Sequence, residues 1–525
     1  MILAVAALLR LYRLDQYPLP MHQDELSDAY DAWSIVETGA DRAGTSRPVI
    51  VRALGEVDYR PALNAWITAI PMNVTGFSPV AARIPTAILG IATLALTFLF
   101  ASLLVSETFG LVALSVAAFN PWHLTYSRFA HQGGMLPAFF SILTLLIWLR
   151  AAELATRARS GARYPRAHLA VLGFVLGFSA NSYQTTRLIA PLVLLLVAYD
   201  VVRYSSRRAD ILIVIAAAAA GAAPQIFVLL TEPAHFFARL TSTLPESTSD
   251  SPSAVQSALK ALGLVFNPRL LFWPNMEDTG YLSARLLLAE LPFYYLGFLT
   301  LARLEPLRLT RFRNYLLAVF GIALIPAIIT ANSSSIRVTW ALPLLPLLTA
   351  AGVLWCVRLL ARREVPQALS YGVIGAAMTA SLAFTAYMYF GSATVNGLRS
   401  NNVLVQMGQH LKRYEPRYNR VFVADSPESA ALHVAAFSGM PPSLFQKSKK
   451  ATVNERGWDY ITAIGKYRFV SPTALDSIVK KACKERGAEL FVGRSRPTVS
   501  TSFDSVQWHD EKYYFFDLSA DPRCI

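Results

Sequence analysis

The chain has 525 residues, 54% hydrophobic and 16% charged, with a net charge of +14. Soluble domains carry about 25% charged residues, and a mean hydropathy of +0.39, with the apolar residues gathered in long runs, excludes an ordinary soluble protein. Positively charged cytoplasmic loops account for the basic balance, and without an RNP motif, a zinc-finger spacing or a basic helix outside the apolar runs, nucleic acid is not a partner.

A helix needs about 20 apolar residues to cross the hydrocarbon core. Met1 to Leu14 is apolar but short and carries Arg10 and Arg13; it reads as the end of a first transmembrane helix shortened by a late start. Its charges are misplaced for a signal peptide, and no small-residue cleavage site follows. Residues 15–85 form a first outer loop, in which Ala62 to Val74 is apolar with Trp66 and suits a helix lying in the interface. Further spans are expected over Pro85–Val105, Leu111–Ala118, Leu136–Leu149, Leu169–Ser179, Leu188–Val202 and Ile211–Leu230. After a second long outer loop, about 231–283, come Leu286–Leu301, Tyr315–Ile329, Ala341–Val357 and Leu369–Phe390. The total is about eleven spans, and no apolar run alternates with period two as a barrel would require.

From Arg150 onward the arginine clusters fall in every second loop: Arg150 to Arg166, Arg203 to Arg208, Arg303 to Arg313, and Arg358 to Arg363. That alternation places these loops in the cytoplasm and the intervening ones outside. Residues 1–391 are thus a transmembrane domain. Residues 392–525 change composition and read as a small extracytoplasmic α/β domain, with helices over Val403–Tyr414, Ser429–Phe437 and Leu475–Arg486. Its strands are expected at Arg420–Ala424, Tyr467–Val470, Leu490–Val492 and Tyr513–Leu518. Three cysteines, Cys356, Cys483 and Cys524, form no CxxC and neither a disulfide framework nor a metal site, although Cys483 and Cys524 could pair outside the cytoplasm.

The outer side collects polar groups at span ends. Asp24 and Glu25 open a segment in which Ala29, Ala32, Trp33 and Val36 recur at helical spacing. An acid there can cap the helix through its free N–H groups; alternatively it is a base that takes a proton from an attacking alcohol. Arg60, Arg128, Arg187 and Arg337 suit phosphate oxygens, which arginine grips bidentately. Each has a plainer reading: Arg60 can pair with Asp58, and Arg128 and Arg187 can snorkel to headgroups. His123 beside Trp122 fits an interfacial belt, and Tyr59, His131 and Tyr183 complete the group.

These pieces, in order, are QDELSDAYDAWSIVETGADRAG, EVDYRPALNAWI, FSPVAARIPTAILG, FNPWHLTYSRFA and NSYQTTRLIAPL. In this order and spacing, over Met1 to about Pro191, the chain resembles the GT-C superfamily of polyprenyl-phosphate-sugar-dependent glycosyltransferases. It looks most like the bacterial relatives of protein O-mannosyltransferases and of lipid A aminoarabinose transferases. The resemblance implies a mainly α membrane protein, a GT-C bundle with outer-face juxtamembrane helices and a small C-terminal α/β domain. It also implies an inverting enzyme of a cell envelope, working at the outer face of the inner membrane. The donor would be a polyprenyl-phosphate sugar and the acceptor a glycan, lipid or protein. Asp24 would be the base, with Glu25 positioning it or the acceptor. Arg60, Arg128, Arg187 and Arg337 would contact phosphate, and Tyr183 would orient it. No cofactor is required, and Tyr59 stands where aminoarabinose transferases carry an acid, so a divalent metal site built like theirs is unsupported. Two other readings stay open: an oligosaccharyl or arabinofuranosyl transferase with another polyprenyl donor, and a transporter or flippase for such lipids. The second should show charges at the midplane and broken helices in two related halves; Pro224-Gln225 inside one span is its sole hint.

Overall fold

The computed structural model describes residues 1–18, 21–157, 163–244, 253–273, 275–276, 282–301, 310–330, 334–387, 389–390, 399–425, 427–455, 457–485, 489–494, 504–508 and 511–517. By contacts the chain forms two compact units. One comprises Met1–Leu14, Pro61–Asn64 and Arg83–Thr394, the other Asp15–Arg60, Ala65–Ala82 and Val395–Ile525. The second unit gathers segments from both sides of the expected boundary at 391/392, which itself lies outside the described residues. So do Arg303, Arg308, Asn332, Ser333, Leu518 and parts of the 231–283 loop.

The first unit is helical. Among the described residues six helices are long and apolar enough to cross a membrane: Pro79–Leu104, Met135–Arg157, Asp210–Thr231, Thr310–Ile328, Ser335–Ala361 and Gln367–Tyr387. This is fewer than the eleven expected, for identifiable reasons. Ile2–Leu11, Glu107–Phe119 and Leu288–Leu301 are apolar but short. Arg166–Phe178 has 13 residues, and Thr186–Tyr204 is interrupted by Arg187, Asp200 and Arg203.

Helices in lipid pack through small residues, because hydrocarbon offers no hydrophobic drive to bring them together. Helices 166–178 and 210–231 meet in this way: a Cβ on Gly177 would lie 1.9 Å from the Ala218 carbonyl oxygen, and one on Gly221 would lie 2.3 Å from that of Phe174. At the arginine-rich end of the bundle a fully buried carboxylate, Asp200, ties four segments. It accepts from Trp148 Nε1 (2.8 Å) and from the hydroxyls of Tyr164 (2.5 Å) and Tyr315 (3.0 Å). Arg311 Nε, 3.1 Å away, supplies the countercharge. A buried charge survives when it is both paired and hydrogen-bonded.

The second unit is built on a seven-stranded sheet ordered Asp504–Trp508, Glu511–Asp517, Glu489–Gly493, Arg420–Ala424, Tyr467–Val470, Asp459–Ile464, Lys450–Val453. The central strand 420–424 is parallel to both neighbours, with Val423 opposite Phe469 and Val492; the remaining pairings are antiparallel. Its strands 420–424 and 467–470 are those read from the sequence, while 450–453, 459–464 and 504–508 were not anticipated. Helix Leu475–Glu485 lays Leu475, Val479 and Ala482 on Phe491 and Phe516. The first loop joins this unit. Arg52 Nη2 bonds Asp459 Oδ1 (2.5 Å), Gln446 Nε2 donates to Ser34, Thr38 and Asp41, and Gly55 bridges Trp458. Cys483 is disulfide-bonded and Cys356 is free; Cys524 lies outside the described residues.

Gly177→Leu should force helices 166–178 and 210–231 apart. Overpacking costs about 1–3 kcal/mol or more, so the purified variant should melt several degrees lower; an unchanged melting temperature would show that the close approach is dispensable.

Candidate active site

Helix Gln23–Thr38 starts at His22, whose Nδ1 accepts the Asp24 N–H at 3.1 Å. The cap is therefore His22, whose Nδ1 also lies 3.5 Å from Asp24 Oδ2, while Oδ1 of the Asp24 carboxylate turns elsewhere. It meets Arg60, carried by the short strand Tyr59–Pro61. Arg60 Nη2 bonds Asp24 Oδ1 (2.6 Å) and Asp58 Oδ2 (2.6 Å), Nε bonds Asp58 Oδ2 (3.0 Å), and Nη1 bonds Asp28 Oδ1 (3.1 Å). Helical spacing makes this work, since Asp24 and Asp28 lie one turn apart on the same face. Burial alone would lower the Arg60 pKa, but Asp58, Asp24 and Asp28 outweigh it and hold the guanidinium charged far above its usual value. Asp24 is 34% exposed, whereas Asp28 and Asp58 are buried. Of the three, Asp24 is the carboxylate a solute can reach. Glu25 on the same turn is wholly buried, and Tyr59 half-buried.

One turn further on, Asp31 is fully buried. Its Oδ1 accepts the Arg42 N–H (3.1 Å), while Oδ2 has no hydrogen-bond partner. Burial pushes this carboxyl up to about 7, against the pull of Arg42.

In the membrane-helix unit, Tyr183, Arg187 and Arg337 line one cavity of about 240 Å³. Arg187 begins helix 186–204, where Thr186 Oγ1 donates to the Ser179 carbonyl (2.8 Å) and fixes the turn. Its Nη1 donates to the Phe236 carbonyl (2.8 Å) and its guanidinium stacks over the Phe236 ring at 4.4 Å. Its Nε and Nη2 are buried without hydrogen-bond partners among the described residues. A guanidinium in that state is costly unless an anion completes it. Arg337 sits on the 3₁₀ segment Ser335–Leu344, held by Tyr126 Oη to Ser335 Oγ (2.9 Å) and Thr339 Oγ1 to the Gly133 carbonyl (2.7 Å). Gly133 permits the approach, since a Cβ there would lie 2.8 Å from Ile336 and 3.0 Å from Tyr183. His131 packs edge-on to Tyr183 with ring centroids 5.9 Å apart.

Two expected residues go elsewhere. Arg128 donates to the carbonyls of Leu9 and Tyr12 (2.6 Å each), closing the C-terminal end of helix Ile2–Leu11. His123 Nδ1 lies 2.9 Å from Arg10 Nη2, and that buried arginine also donates to the Ala6 and Ala118 carbonyls. Sequence reading missed Arg239, which lines the Tyr183–Arg187–Arg337 cavity from helix Pro233–Thr241. The available signal was a basic residue on a strongly amphipathic stretch of the second long loop.

The sequence matches no curated protein. Residues 59–227 match the family described as dolichyl-phosphate-mannose-protein mannosyltransferase. The fold is similar to that of ArnT from Cupriavidus metallidurans bound to undecaprenyl phosphate. The TM-score is 0.59 at 12% identity, covering 99% of this chain and 98% of that one. The chain has the fold of the GT-C glycosyltransferases. The Archaeoglobus fulgidus oligosaccharyltransferase in complex with zinc and sulfate shares it, with a TM-score of 0.51 at 13% identity over 83% of this chain and 61% of that one. AglB from the same organism, in complex with an inhibitory peptide and a dolichol-phosphate, scores 0.50 at 12% identity over 94% and 69%. The family-matched stretch 59–227 carries Arg60, His123, Arg128, His131, Tyr183 and Arg187, while Asp24 and Arg337 lie outside it.

The Asp31 carboxyl gives a signed pH dependence. Its folded pKa of about 7 lies above the unfolded value, which is about 3.9. Its contribution is thus fully present below about pH 4 and is lost as pH rises through 7. Hydrogen-exchange protection of helix 23–38 should fall over that window in the wild type and less steeply in Asp31→Asn. Parallel profiles would contradict the assignment.

Proposed function

We propose that the chain is an inverting glycosyltransferase that moves a sugar from a polyprenyl monophosphate carrier to an acceptor at the outer face of the membrane. The observation that carries this reading is Arg187, whose buried Nε and Nη2 lack partners in a cavity shared with Tyr183, Arg239 and Arg337. A phosphate monoester supplies the anionic oxygens such a set needs. The fold neighbours agree in kind, since ArnT was captured with undecaprenyl phosphate and AglB with a dolichol-phosphate.

In the reaction an acceptor hydroxyl attacks the anomeric carbon, a carbon–oxygen bond forms, and the bond to the phosphate oxygen breaks. The phosphate leaves with the electron pair, and a single displacement inverts the centre. Asp24, the exposed acid of its cluster, takes the hydroxyl proton. Arg60 aims Asp24 through Nη2, while its Nε and Nη1 are held by Asp58 and Asp28. Arg187, Arg337 and Arg239 neutralise the leaving phosphate, and Tyr183 orients it. Glu25, buried on the same turn, helps position Asp24 or the acceptor. Arg128 is left out of the phosphate contacts, since its guanidinium serves the Leu9 and Tyr12 carbonyls. The reaction as written draws on no cofactor.

Asp24→Asn should lower kcat by roughly 10²–10⁴-fold, the usual worth of acid–base catalysis, with little change in the KM for donor. Arg187→Ala should instead raise the donor KM. Transfer from radiolabelled polyprenyl-phosphate sugars measures both. Glu25→Gln serves as the control; if it abolishes transfer while Asp24→Asn retains it, the base is misplaced by one residue.

The outer placement rests on the arginine alternation. In a background lacking Cys356, an impermeant maleimide added to intact cells should label Ser443→Cys and spare Arg207→Cys. The reverse pattern would overturn the orientation.

A further inference from the structure

At the end of helix 166–178 remote from Arg187, a cavity of about 550 Å³ opens among helices 79–104, 135–157 and 166–178. Leu99, Leu146, Ile147 and Val171 form its apolar walls, while Arg150 and His168 supply its polar rim. We propose that this groove binds an anionic glycerophospholipid, its acyl chain along the apolar walls and its phosphate at Arg150 and His168.

The charge pattern selects the headgroup. Arg150 is 45% exposed and gives Nη1 to Glu153 Oε2 (2.8 Å). Glu153 is shared with Arg157 Nη2 (2.6 Å), so one carboxylate answers two guanidinium groups. Arg166 lies 3.7 Å from Asp210, and Arg163 is exposed. Around this end of the helices Arg150, Arg157, Arg163 and Arg166 therefore stand against two acids among the described residues, Glu153 and Asp210, which leaves positive charge in excess near the rim. Helix 166–178 begins here after Pro165, with no side chain capping its first turn and no acid in it. Its free N–H groups add to the field that attracts a phosphate. An uncharged lipid would satisfy the walls and leave the rim unanswered.

This site is separate from the Arg187 cavity. The two lie at opposite ends of helix 166–178, whose 13 residues at about 1.5 Å each place them roughly 20 Å apart along its axis. Clustered basic residues beside apolar helix ends are where anionic leaflet lipids gather.

The test uses the full-length protein in detergent, titrated with phosphatidylglycerol or phosphatidylcholine of identical acyl chains and read by native mass spectrometry. Wild type should bind phosphatidylglycerol about tenfold more tightly, the worth of one charge-assisted contact. Arg150→Gln combined with His168→Gln should bring it down to the phosphatidylcholine level, and Ile147→Trp, which fills the groove, should weaken both lipids. Equal binding of the two lipids by wild type would overturn the proposal. So would an anionic preference that survives the double variant, or full displacement of phosphatidylglycerol by undecaprenyl phosphate, which would make the occupant a polyprenyl lipid. If the double variant fails to fold, Arg150→Gln alone carries the same comparison, and an undiminished preference for phosphatidylglycerol there overturns the proposal.

Discussion

A guanidinium cannot shed its proton at any pH a cell offers, so each buried arginine dictates what must surround it. This chain answers that demand in three ways. Arg60 is surrounded by carboxylates. Arg10 and Arg128 are answered by backbone carbonyls, which carry partial negative charge without titrating. Arg187 has one carbonyl and one aromatic ring, and two nitrogens left over. In the second arrangement only the Nε of each arginine is left over, whereas in the third two of the three guanidinium nitrogens are, among the described residues. That difference is the physical basis on which Arg187 is proposed to take a phosphate while the others build the fold.

The same contrast explains what the sequence disclosed. The helix at 23–38 was legible because Ala29, Ala32 and Val36 repeat at its period. Strands 420–424 and 467–470 were legible as short β-branched and aromatic runs next to helical ones. The order of the short motifs pointed to the GT-C fold. Arg60 pairing with Asp58, two residues away, could be anticipated. The contribution of Asp28 could not, because it depends on how strand 59–61 lies against the helix.

Arg128 shows the limit most clearly. From sequence alone an arginine at a span end fits a phosphate as well as it fits a carbonyl, and carbonyls have no residue signature. Only the arrival of Leu9 and Tyr12 from a segment far earlier in the chain distinguishes the cases. The span count failed for a related reason. Composition shows where a chain is apolar, but polar insertions such as Asp200 are tolerated when distant partners satisfy them.

Asp200 also bears on how the protein is made. A chain emerging from its N-terminus delivers Trp148 and Tyr164 first, then Asp200 itself. Tyr315 and Arg311 follow much later, after helix 210–231 and the whole second long loop. During that interval the carboxylate has the donors Trp148 and Tyr164 but not the guanidinium of Arg311. The helix carrying it cannot settle finally until its cationic partner is synthesised. Helix 310–328, the last of these partners to be made, is thus the one that completes the Asp200 cluster.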